Sequence, residues 1–195
     1  LPTLGPHLEG FDGDSASITA VPAGDRPFGL VADGGAVWVT NNVGGTVTRL
    51  DPATGRTLAT VDVGECSERL ALGAGAVWVL NACDRTVSRI DASTDEVVAT
   101  LPLDAQSQAI AATDDAVWVT TLGAPNVQRI DPTTNRFVGG LTIQATLVGV
   151  AADDDAVWLT DEADAGRVLR VDPSTEQVVE EVSVGSDPSG VSLAD

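Results

Sequence analysis

Ala36-Val37-Trp38-Val39-Thr40-Asn41 returns along the chain as Ala76 to Asn81, Ala116 to Thr121 and Ala156 to Asp161, each time around an Ala-Val-Trp core. Trp38, Trp78, Trp118 and Trp158 stand 40 residues apart and are all the tryptophans present. A second phrase, Arg-(Leu/Ile/Val)-Asp, keeps step with the first at Arg49-Leu50-Asp51, Arg89-Ile90-Asp91, Arg129-Ile130-Asp131 and Arg170-Val171-Asp172. Self-similarity at a fixed period of this size marks a repeat protein and decides architecture before any single motif does.

Each period holds four short β-branched runs separated by turn residues, and no segment sustains a helical period. In the first unit the strands are read as A, 28–32; B, 36–41; C, 46–50; and D, 57–63. The C–D turn, Asp51-Pro52-Ala53-Thr54-Gly55, has a mechanism: proline fixes φ at the second position, and the aspartate side chain accepts from backbone N–H groups further on. Asp51, Asp91, Asp131 and Asp172 are therefore read as turn residues, not as acids or ligands. A 40-residue module of four antiparallel strands is a β-propeller blade. Armadillo-like helical repeats are excluded by the Gly, Asp-Pro and Asp-Asp breaks every ten residues or so. The expected fold is thus all-β, with repeats at 27–66, 67–106, 107–146 and 147–187. Before them come an irregular tail, 1–16, and a lone D strand, 17–24; after them, 188–195 starts the A strand of a fifth blade. This describes either part of a larger propeller or a small ring completed by its terminal strands or by another subunit.

Pro27-Phe28-Gly29-Leu30, Ala36 to Asn41, Thr46 to Thr54 and Ala59-Thr60-Val61-Asp62-Val63-Gly64 together resemble the module of bacterial propellers with YVTN-type repeats, a group similar to streptogramin (virginiamycin B) lyase and the NHL-like propellers. The Gly-His and Trp-Asp pairs of WD40 blades are missing. The resemblance covers about residues 17 to 195 and implies the fold. For the lyase it implies histidines and glutamates around a magnesium ion, but the four repeats contain no histidine, so no catalytic residue is carried over; the single histidine is His7.

Charge narrows the partners. Ten arginines and no lysine oppose 29 acidic residues, for a net charge of −19. Such a field repels phosphate backbones and anionic lipid, so nucleic acid is not expected as a partner, and cationic ligands or metal ions are favoured. No apolar run approaches the roughly 18 residues of a helical membrane span, so membrane insertion is not expected. Residues 1–16 lack the basic and apolar regions of a signal peptide, which suits a mature or trimmed N-terminus. Open blade faces would invite self-association.

Register gives two further expectations. If each B–C loop has four residues, Trp38 lies opposite Arg49, Trp78 opposite Arg89 and Trp118 opposite Arg129, a favourable guanidinium-over-indole stack. The fourth unit is one residue longer between its tryptophan and Asp172, so the insertion belongs in the loop from Asp161 to Arg167. Cys66 in a D–A connection and Cys83 in the B–C loop of the same blade fall on one face. They form a disulfide or stand as two thiols; the disulfide is the expectation, and it implies a secreted, periplasmic or cell-surface location.

The C–D turns nearly repeat one solution, whereas the D–A and B–C loops change in charge and size at every blade. Varied loops on a rigid frame are where recognition usually sits. Arg26, Asn41, Asn42, Glu68, Asp84, Gln106, Gln108 and Asp161 are the candidate contacts for a protein or small-molecule ligand, with Glu68 and Gln108 leaning toward the channel. Asp161, Glu162 and Asp164 are weak candidates for part of a calcium or magnesium site. A non-catalytic binding or sensor scaffold is the leading functional reading. A lyase-like, metal-assisted enzyme with its catalytic residues in other blades is second, and a structural or assembly module third.

Overall fold

The computed structural model describes residues 20–33, 35–163 and 166–193. They form four antiparallel sheets of four strands and no helix. Blade 1 comprises β1 (Pro27–Ala32), β2 (Val37–Asn41), β3 (Thr46–Leu50) and β4 (Thr57–Asp62). Blade 2 comprises β5 (Ser67–Gly73), β6 (Ala76–Asn81), β7 (Thr86–Asp91) and β8 (Glu96–Pro102). Blade 3 comprises β9 (Ser107–Ala112), β10 (Val117–Thr121), β11 (Val127–Asp131) and β12 (Arg136–Leu141). Blade 4 comprises β13 (Leu147–Ala152), β14 (Val157–Asp161), β15 (Arg167–Asp172) and β16 (Gln177–Ser183). Strands pair in chain order, β1 beside β5, β5 beside β9 and β9 beside β13. The first strand of each blade is therefore innermost and the last lies at the rim. This is the β-propeller arrangement.

Alternation along the strands sends half of each blade's apolar side chains toward either neighbour. Three inter-blade cores result. Ala36, Trp38, Val47 and Val61 of blade 1 meet Leu70, Val77, Val79 and Ile90 of blade 2. The next is built from Trp78, Val87, Leu101 and Leu103 against Ile110, Val117, Val119 and Ile130. The third sets Trp118 and Val127 against Leu147, Val150, Val157 and Val171. Trp38, Trp78 and Trp118 are at most 1% exposed, so the repeated ring is the principal filler of each core.

The C–D turns hold as their sequence requires. Asp51 Oδ1 accepts from the backbone N–H groups of Ala53 and Thr54, and Asp91, Asp131 and Asp172 repeat the pattern. Hydroxyl donation by Thr133 and Thr134 holds the Asp131 carboxyl well below its ordinary value, at about 2. After every core arginine the outer ladder slips by one residue. Leu58, Val98, Val138 and Val179 are the unpaired bulge residues, each about half exposed at 50 to 54%.

Of the expected terminal strands, residues 17–19 and 194–195 lie outside the described residues, and 20–24 and 188–193 join no ladder. Both segments lie against neighbouring blades. Gly24 packs against the Asn41 side chain as Gly64 does against Asn81, and Val21 packs against Gly55. Gly190 and Val191 run beside Gly149 of β13.

Candidate binding face

One backbone hydrogen bond recurs in every blade. The first residue of the B–C loop donates to the D–A connection, Asn42 to Arg26, Ala82 to Cys66, Leu122 to Gln106 and Glu162 to Thr146, at 2.9 to 3.1 Å. This bond places both sets of variable loops on one face, opposite the C–D turns. In blade 2 it is doubled by the Cys66–Cys83 disulfide, with a Cα–Cα distance of 5.3 Å. A disulfide is consistent with an extracytoplasmic location.

Most candidate contacts share this face. Arg26, Asp84 and Gln106 are exposed, while Asn42, Glu68 and Gln108 are half-buried. Asn42 Nδ2 donates to Glu68 Oε1 at 3.3 Å, tying the blade 1 loop to the inner strand of blade 2. Asp84 Oδ2 accepts from the Glu65 N–H at 2.8 Å. Beside the Glu65–Asp84 bond lies a cleft of about 440 Å³, lined by Gly44 and Gly45 of the blade 1 loop, by Asp62 at the end of β4, by Gly64 and Glu65 of the following connection, and by Asp84. Its three carboxylates match the acidity of the whole chain.

Two candidates are corrected. Asn41 is fully buried, and its Nδ2 donates to the hydroxyls of Thr46 and Thr48, so it braces the B–C hairpin and cannot touch a ligand from solution. Asn81 does the same with Thr86 and Ser88. Asp161 occupies the equivalent place in blade 4 and is 1% exposed. Its carboxylate accepts from the Thr146 and Ala163 N–H groups and from Arg167 Nε at 2.8 Å. Burial pushes its pKa up, but the Arg167 bond and the two backbone donors outweigh that and hold it below the ordinary value. This carboxylate is fully engaged and is not a free metal ligand. Glu162 is exposed, Asp164 lies outside the described residues, and no group of three potential ligands converges among the described residues.

Sequence reading overlooked Arg69. The innermost strands surround a channel cavity of about 290 Å³, lined by Gly29, Leu30, Leu70, Ala109, Ile110, Gly149, Val150 and Gly190 among others, with Arg69 its single charged wall. The signal was present in the repeat, where the third position of strand A reads Gly29, Arg69, Ala109, Gly149 and Gly190.

The expected stacks are all formed. Trp38 lies opposite Arg49, Trp78 opposite Arg89 and Trp118 opposite Arg129, with guanidinium carbons 5.2 to 5.5 Å from the ring centroids. Trp158 lies opposite Arg170 at 5.9 Å, and the extra residue sits in the B–C loop as the spacing requires.

No family model and no curated protein sequence matches the chain. Solved structures do match. Hydrazine synthase of Kuenenia stuttgartiensis has a TM-score of 0.73 at 19% identity over 91% of this chain and 54% of its own. Streptogramin B lyase has a TM-score of 0.70 at 20% identity, covering 85% of this chain and 58% of its own. The Cps50 (Swd1) β-propeller domain of Myceliophteria thermophila has a TM-score of 0.74 at 12% identity, covering 87% and 59%. At these identities the likeness shows the β-propeller fold alone, and the chain spans a little over half the length of each structure.

Proposed function

We propose that this chain is a non-catalytic binding scaffold of extracytoplasmic type, and that its ligand is taken on the face of the B–C and D–A loops. The observation that carries this reading is the recurring loop bond: one backbone clamp holds every B–C loop to its D–A connection while the side chains around it differ from blade to blade. Fixed backbone with variable side chains is the arrangement in which loops discriminate ligands at low ordering cost. The disulfide rigidifies the blade 2 side of the acidic cleft, and a cationic or hydrogen-bonding ligand suits that cleft. Arg26, Asn42, Glu68, Asp84, Gln106 and Gln108 are the contact residues, with Arg69 reaching the ligand only if it enters the channel.

Titration of the ¹⁵N-labelled chain with a lysine-rich peptide and with a small-molecule set tests this. Amide shifts should concentrate at 42–45, 64–68, 82–85 and 105–108. Asn42→Ala with Gln108→Ala should abolish them while the strand spectrum persists. Shifts centred on the C–D turns would move the site to the opposite face.

A further inference from the structure

Three of the four core arginines do more than stack on their tryptophans. Arg49 Nη1 reaches across the interface to Asp95 of blade 2, 3.1 and 3.2 Å from its two oxygens. Arg89 Nη1 reaches Pro132 O at 2.6 Å and Asn135 Oδ1 at 2.8 Å in blade 3. Arg129 pairs with Glu176 of blade 4 at 3.7 Å. The three acceptors occupy one position, the left-handed residue that closes the C–D turn, with φ between 54° and 60°. Blades 1, 2 and 3 thus each hand an arginine to the turn of the next.

Arg170 of blade 4 has the stack and, among the described residues, no such acceptor. The apolar column around it is equally unfinished. Trp158 is half-buried where its three counterparts are covered. Val182 and Val184 are 41% and 51% exposed where Leu101 and Leu103 of blade 2 are 5% and 6%. We infer that the outer face of blade 4 is a docking surface for a further module of the same repeat, entering through residues 188–191 and offering Asp, Asn or Glu at the left-handed position of its C–D turn.

Two observations select that occupant over a second copy of this chain. Gly190 and Val191 already lie beside Gly149, the course that an inner strand takes next to β13. A copy docking head to tail would present blade 1, whose left-handed turn residue is Gly55, with φ 67° and no side chain to accept the arginine. Gly55 is also covered by Val21, so the acceptor position of blade 1 is already occupied.

The test extends the 195-residue chain after Asp195 with a copy of its residues 75–106, which supplies the B, C and D strands and a copy of Asp95. A second extension uses residues 115–146, with Asn135. Acrylamide quenching of tryptophan reads the face directly, because Trp158 is the half-exposed indole of the four. Quenching should fall several-fold in either extension, and Arg170→Ala or glycine at the copied Asp95 should return at least half of the loss. Unchanged quenching in both extensions overturns the inference. Concentration-dependent dimers of the natural chain with a protected Trp158 overturn it as well and give the face to a second copy.

Discussion

Arg89→Ala and Arg170→Ala remove the same side chain from the same strand position, but only Arg89 bridges two blades. Its stack on Trp78 is worth about 0.5–2 kcal/mol. Its bonds to Pro132 O and Asn135 Oδ1 have a charged donor, a class worth about 1.5–3 kcal/mol each when the partner is left without water. Arg89 is half-buried, so water replaces part of each bond and about 1 kcal/mol remains for each, as for an ordinary protein hydrogen bond. Arg89→Ala should then cost about 3 kcal/mol, and Arg170→Ala, which loses the stack alone, about 1 kcal/mol. The difference of about 2 kcal/mol is roughly a thirtyfold change in the folding equilibrium. Urea unfolding followed by both tryptophan fluorescence and far-ultraviolet dichroism measures it. Because the lost bonds couple blades 2 and 3, Arg89→Ala should also separate the two probes, as repeat arrays do when an interface term weakens. Equal losses for the two variants would show that the arginines act only through their tryptophans.

Replacing Cys66 and Cys83 together by serine opens a loop whose ends are 17 positions apart, and should cost about 3 kcal/mol in the chain-entropy account. Reductant should destabilise the natural chain and leave the double variant unmoved, and quantitative alkylation of both thiols without reductant would refute the link. Asp161→Ala strands Arg167 and two backbone donors, and should cost about 3 kcal/mol, whereas Glu162→Ala should be neutral within the error of denaturant titration. The Asp131 carboxyl should titrate near pH 2 by NMR. Its folded pKa lies below the unfolded value of 3.8, so its stabilising share is complete above about pH 4 and is lost as pH falls through 2. A midpoint near 3.8 would show that the Thr133 and Thr134 hydroxyls do not hold it.

What was legible in the sequence follows from what repeats. Period, strands, C–D turns and the Trp–Arg register depend on residues within one blade, and the same letters recur at each. The arginine's second partner was hidden for a chemical reason. Asp95, Asn135 and Glu176 share a backbone conformation and an acceptor oxygen but no residue type, so no letter repeats to mark them. Asn41 and Asp161 were misplaced for a related reason. A polar residue at the end of strand B looks like part of the variable loop, and only the hydroxyls across the hairpin, or Arg167, show that it points inward. Arg69 was legible in principle, as a cation in a column of small residues, but its exposure to the channel depends on how close the inner strands come.

The bulges after the core arginines bear on how the chain behaves when concentrated. An exposed outer strand is a template on which another chain can add a strand, and natural proteins commonly guard such an edge with lysine. This sequence has no lysine, and Leu58, Val97, Val98, Phe137, Val138, Val178 and Val179 give its rim strands an apolar, β-prone character. The unpaired residue at 58, 98, 138 and 179 breaks the donor and acceptor spacing of each edge at the point where it is most apolar. An incoming straight strand would fall out of register within a few residues. With like charges on every molecule adding long-range repulsion, irregular edges should oppose fibril growth from these greasy rims, and deleting a single bulge residue should remove that protection from one blade.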